Sequence, residues 1–226
     1  MTGTIVNTIS ILCGSCIGAA VRRGISDKYQ NALFDAMGFS AVALGVNAVV
    51  ANMPNSHYPV LFILSLAIGS LLGAIWDWDG KFRRLSTRLG HSELGRGLAT
   101  AILLFCIGTL SILGPIESAV NGNNTYLFTN ATLDFVTSMV LASSYGIGIA
   151  LSAAVLFCWQ GGLYLLGLWL GSFMPGDLLT EVSIVGGILI MVSGVSMLKL
   201  KDCKTLNMLP SLFVSVVLYF IARAVL

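Results

Sequence analysis

Residues 132–173 read TLDFVTSMVLASSYGIGIALSAAVLFCWQGGLYLLGLWLGSF, and Asp134 is the only charged side chain among them. A membrane helix needs about 20 mostly apolar residues, so this run is long enough for two. It breaks most readily at Tyr145-Gly146-Ile147-Gly148, where two glycines interrupt the apolar sequence. Whether it holds one span or two decides which side of a bilayer everything after it faces, because each span reverses the chain.

The rest of the chain supplies the setting. Of 226 residues, 56% are hydrophobic and 10% charged, and the mean hydropathy is +0.90. A soluble domain carries roughly 25% charged residues, so this chain could not cover a water-facing surface. The other apolar segments lie near 3–21, 31–52, 59–76, 97–114, 178–198 and 207–225. No Lys or Arg precedes the first of them, and Arg22-Arg23 follow it. That is the reverse of a secretory leader, so it reads as a retained helix.

Lys and Arg accumulate on the cytoplasmic side of membrane proteins. They fall here in three clusters: Arg22, Arg23 and Lys28; Lys81, Arg83, Arg84, Arg88 and Arg96; and Lys199, Lys201 and Lys204. Segments 53–58, 115–131 and 174–177 have none. With two spans in 132–173, all three clusters face one side and only Arg223 lies opposite. The sequence therefore predicts an all-α integral membrane protein with eight transmembrane helices and both termini outside. Residues 1–226 would form a single polytopic domain. Residues 77–97 would be a cytoplasmic interfacial loop or helix, with Phe82, Leu85 and Leu89 on one face and Trp76 and Trp78 near the headgroups. The segment 115–131 reads as a polar outer loop; its Asn123 and Asn130 sequons are weak signals.

An internal repeat is visible. Gly38-Phe-Ser-Ala-Val-Ala-Leu-Gly45-Val-Asn47 aligns with Gly187-Ile-Leu-Ile-Met-Val-Ser-Gly194-Val-Ser196, and Pro59-Val-Leu-Phe62 with Pro210-Ser-Leu-Phe213. The second and third spans thus match the seventh and eighth, and a similar offset sets Gly14 of the first against Gly161 of the sixth. A shift of five spans reverses direction, so spans 1–3 and 6–8 are predicted to form an inverted repeat. Small-residue stripes such as Ser10-Gly14-Gly18 and Ser65-Gly69-Gly73 suit close helix packing.

The motifs Gly3-Thr-Ile-Val-Asn7, Leu104-Phe-Cys-Ile-Gly108 with Ile112-Leu-Gly114, Tyr145-Gly-Ile-Gly148, Gln160-Gly161 and Leu209-Pro210 occur in that order. In this the whole chain resembles the YdfK/YqgA-like family of uncharacterised bacterial membrane proteins. The resemblance implies a multi-pass protein of the bacterial cytoplasmic membrane and supplies no activity.

Function then rests on the polar residues within the spans. Gln160 lies mid-span and is followed by Gly161-Gly162. An unpartnered amide in hydrocarbon costs roughly 2–7 kcal/mol, so it must face the bundle interior. Glycines there loosen the helix, as in the broken helices of transporters. Asn7 and Asn47 are further intramembrane amides. Asp35, Glu181 and Asp134 each read as acids near a helix start, where the macrodipole favours them, or as ion-coupling groups. Gly14, Gly146 and Gly148 are hinge candidates.

This pattern points to a small-solute secondary transporter with a polar site between the first and sixth spans, lined by Gln160, Gly161, Gly162, Asn7 and Asn47. A passive channel on the same path, or a non-transporting protein that organises lipid or a partner, are the alternatives. His57 and His91 stand in separate loops, and no zinc, P-loop or nucleophile-elbow motif is present. No enzyme activity, cofactor or metal site is predicted. The five cysteines, including Cys13-Gly-Ser-Cys16, read as packing residues. The expected partners are the lipid bilayer and an unidentified small solute or ion, with no nucleic acid; a homo-oligomer stays open.

Overall fold

The computed structural model describes residues 1–21, 26–81, 84, 93–171 and 175–225. Among them the chain is helical throughout: α1 (Thr2–Ala20), α2 (Asp27–Asn52), α3 (Leu61–Trp76), α4 (Glu93–Ile107), α5 (Thr109–Asn121), α6 (Thr125–Tyr145), α7 (Ser152–Gly171), α8 (Gly176–Met197), the short α9 (Thr205–Met208) and α10 (Pro210–Val225). Short 3-10 turns cover Met53–Asn55 and Ile147–Leu151. Six helical stretches are long and apolar enough to cross a membrane: Thr2–Ala20, Asp27–Asn55, Leu61–Lys81, Ile147–Trp169, Gly176–Met197 and Thr205–Val225. A seventh counts if Gly97–Cys106 and Thr109–Val120, bent by 44° at their junction, form one broken span. Residues 82–83 and 85–92 of the predicted interfacial loop or helix at 77–97 lie outside the described residues; at its start, Trp76 and Trp78 stack with ring centroids 5.8 Å apart.

Two expectations change in the middle of the chain. The fourth segment is not one helix over 97–114 but α4 and α5, parted at Gly108. The predicted outer loop 115–131 is mostly helix, and only Gly122, Asn123 and Asn124 separate α5 from α6. Polar side chains do not prevent a helix where the fold satisfies them. Thr129 and Thr132 bond back to carbonyls four residues earlier, and Asn130 bonds inward to Asp134. Asp134 consequently does not open its helix. It is ten residues into α6, about 13 Å from its start.

By packing, the chain forms two compact units, Met1–Leu33 with Phe82–Ser172 and Phe34–Lys81 with Phe173–Leu226. In the first unit, α1 buries Thr4, Asn7, Ile11, Gly14, Ser15 and Gly18 at helical spacing, while Ile5, Ile9, Leu12 and Ile17 stay exposed. This is an inside-out helix, small and polar within and apolar without, as a bilayer requires. Its glycines meet α6: Gly3 lies against Leu127, Gly14 against the Phe135 carbonyl, and Gly18 against the Met139 carbonyl. The numbers rise together, so α1 and α6 run parallel. Likewise α5 and α7 run parallel, with Gly167 against Ile116 and Ala119, and Gly171 against Val120. Ile11, Phe105, Cys106, Ala142, Ile149 and Leu156 are among the residues of the core beneath.

In the second unit, α2 and α8 cross antiparallel through reciprocal glycine contacts. Gly38 lies against the Gly194 carbonyl and Gly194 against that of Gly38; Gly45 and Gly187 repeat the arrangement. Helices α3 and α10 also run antiparallel, with Gly69 against Ser211 and Gly73 against the Asn207 carbonyl just before α10. Leu61, Leu178 and Tyr219 form the core here.

Candidate functional site

The polar groups of the first unit gather on its buried faces. Asn7 of α1 donates its Nδ2–H to Asp134 Oδ2 at 2.9 Å. Asn130, one turn before Asp134 on α6, donates to the same oxygen at 2.8 Å. All three side chains are buried, yet Asn7 Oδ1 and the Thr4 hydroxyl on the same face of α1 have no hydrogen-bond partner. Cys106, at the end of α4, lies within electrostatic reach of Asp134.

Across the break at Gly108 lies the second polar group. Gln160 of α7 donates its Nε2–H to Ser111 Oγ at 2.9 Å, and both side chains are fully buried. Gln160 Oε1 has no partner. Proline has no N–H, so Pro115 of α5 leaves the Ser111 carbonyl without its usual donor four residues on. The interior is thus rich in acceptors: two amide oxygens, a hydroxyl, a freed carbonyl and a carboxylate. Such an interior suits a cation or a solute that brings its own N–H or O–H donors.

Asn7 and Gln160 both lie in the first unit, and the Met1 side chain, just before α1, lies beside Gly161 of α7. Neither amide bonds to the other's helix; Asn7 turns to α6 and Gln160 to α5. Helices α1 and α7 both run unbroken, through Gly14 and through Gly161-Gly162, and the discontinuity is at Gly108 instead. Gly14 is packed against α6 backbone, whereas Gly162 has open space beside it. Gly146 caps α6 with φ +87°, which favours glycine, and Gly148 in the following turn lies against Leu94. Asn47 and Asp35, on the α2 portion of the second unit, are exposed.

Glu181 forms a separate cluster in the second unit. It is 1% exposed. Its Oε1 accepts from Ser56 Oγ at 2.6 Å and from the Tyr58 backbone N–H at 3.2 Å, while Oε2 has no partner. One turn earlier, Asp177 pairs with His57 at 3.4 Å on the surface.

Sequence reading missed Thr4, Ser111, Asn130 and Ser56. Asn130 could have been found from its spacing, since Asn130 and Asp134 stand four apart on one helix face. Ser111 and Ser56 carry no such signal, because each matters only through a partner distant in sequence.

A family model described as a protein of unknown function, DUF554, matches residues 2–220. The chain belongs to this family. It is 54% identical to the uncharacterised membrane protein YdfK of Bacillus subtilis (strain 168) over 224 residues, covering 99% of this chain and 98% of the relative. It is 24% identical over 226 residues to the uncharacterised protein YqgA of Escherichia coli (strain K12), covering 94% of each. No solved structure matches. The family and its relatives support a membrane protein and leave the chemistry to the residues.

Proposed function

We propose that the protein is a secondary transporter for a small solute in the bacterial cytoplasmic membrane, with its solute site in the first unit. The observation that carries this reading is Gln160: fully buried, bonded to Ser111 by one amide atom, and bare at the other. A purely structural amide would be expected to find partners for both ends. The broken helix beside it supplies backbone polarity at depth, which membranes tolerate only where it faces protein or a cavity. The acceptor-rich lining favours a cationic or donor-bearing solute over an anion.

The eight-span arrangement with both termini outside belongs to this reading. Helix α6 is too polar to count as a span by composition, but it runs alongside α1 over most of its length, so it crosses whatever α1 crosses. The inverted repeat is supported by the glycine contacts of the second unit. Exchanging repeat-equivalent residues turns the Gly38–Gly194 contact into Gly187–Gly45, which is also made. A two-fold relation between α2 and α8 accounts for both.

Uptake of labelled small amines and neutral polar solutes into proteoliposomes tests the proposal. The expected result is saturable uptake that depends on an ion gradient and is lost in Gln160→Leu, while the variant melts within about 1 kcal/mol of the parent. Unsaturable, gradient-independent flux would mean a channel. No flux across the panel, with Gln160→Leu merely less stable, would leave Gln160 as a packing bond and end the transporter reading.

A further inference from the structure

Asp134 is a buried carboxylate without a counter-charge. It is 5% exposed, and among the described residues it forms no ion pair. Its partners are two neutral amides, both on Oδ2. Amides orient a carboxylate but leave its charge in place, and an uncompensated charge in a low-dielectric interior is strongly disfavoured. Something positive is needed to complete the site.

The surrounding atoms say what kind. Asn7 Oδ1 belongs to the same amide that bonds Asp134, one amide's width from the nitrogen that donates to the carboxylate. Thr4 stands one turn before it on the same buried face, with a bare hydroxyl. These are hard oxygen donors: a carboxylate, an amide carbonyl and a hydroxyl. No group of three His, Cys, Asp or Glu side chains occurs among the described residues, so the donor set does not suit a transition metal. One carboxylate balances one positive charge, whereas a divalent ion would leave an excess charge buried.

We propose that Asp134, Asn7 and Thr4 bind a dehydrated alkali-metal cation, with Asn130 positioning the carboxylate. The ion's role as the coupling ion rests on the transporter reading; its binding does not. A proton on Asp134 would also neutralise the charge, but it would leave the bare oxygens of Asn7 and Thr4 beside it unexplained.

Melting of the purified protein in detergent tests this, with NaCl, KCl or LiCl titrated against choline chloride at constant ionic strength and pH. The expected result is a saturable rise in melting temperature with at least one alkali cation and none with choline. Asp134→Asn should abolish the rise. Thr4→Val keeps shape but cannot ligate, so it should melt in choline no lower than the parent yet need about tenfold more cation for the same rise. Should Asp134→Asn fail to fold, the Thr4→Val titration decides alone. Equal melting in all salts, a response to pH with none to cations, or an unchanged titration in Thr4→Val would overturn the site. Cation-dependent melting without solute uptake would leave the site standing and remove the transporter. Uptake without any cation response would do the reverse.

Discussion

At the scale of single residues, the two buried acids differ in what holds them, and Glu181 gives a test of its own. Its Oε1 gathers a hydroxyl and a backbone N–H from the segment that leads into α3. Gln at this position keeps an oxygen for both donors and adds an amide where Oε2 has no partner. Ala removes the acceptor for the half-buried Ser56 hydroxyl and leaves the Tyr58 N–H only its bond to Ser56 Oγ at 3.2 Å. Glu181→Ala should therefore destabilise the protein by about 1–3 kcal/mol, with Glu181→Gln closer to the parent, as read from thermal melting in detergent. Equal losses would mean that the charge, not the hydrogen bonds, matters. Nothing in the sequence marks this arrangement. Glu181 one turn into a helix resembles any acid placed to favour a macrodipole, and Ser56 is 125 residues away from it in the chain. Gln160 was legible for the opposite reason: an amide in mid-span cannot be satisfied locally, so its position alone marks it.

At the scale of helices, glycine has opposite roles that the sequence writes with the same letter. Gly14 is the point where α1 touches the backbone of α6, and a Cβ there would meet the Phe135 carbonyl and the Ser138 hydroxyl. Gly162 has nothing within 4 Å of the place its Cβ would occupy. Gly14→Ala should force the helices apart and cost about 1–3 kcal/mol. Gly162→Ala should stabilise α7 by about 0.5–1 kcal/mol through helix propensity alone. Melting of the two variants in one detergent checks the difference in sign. A stabilised Gly14→Ala would contradict the close packing of α1 on the α6 backbone. Small-residue stripes did announce which helices pack closely, because a stripe is periodic. They could not say against which neighbour, nor that α4 and α5 part at Gly108, since the apolar pattern runs on across the break. Helix α6 was half-hidden because its polar residues are satisfied inside the fold, by Asp134 and by their own backbone, rather than by water.

At the scale of the whole molecule, topology is where charge and packing meet. The basic clusters put residues 199–204 inside and both ends outside, provided residues 132–173 contribute two spans. The parallel course of α1 and α6, and the turn at Gly146 that starts the chain back through α7, argue for the same count from independent observations. Neither depends on the hydropathy of α6, which is too low to declare it a span. Single cysteines at positions 120, 202 and 225, on a background with Cys13, Cys16, Cys106, Cys158 and Cys203 replaced, give a direct test with a membrane-impermeant thiol reagent on intact cells. Positions 120 and 225 should label from outside, and position 202 only after the membrane is opened. If instead position 202 labels from outside and position 225 only after the membrane is opened, the chain crosses an even number of times between 120 and 202. Helix α6 would then lie along α1 without crossing, or α1 itself would not span. The relation that equates Gly38 with Gly187 would lose its meaning as an inverted repeat, because the two halves would no longer enter the membrane from opposite sides.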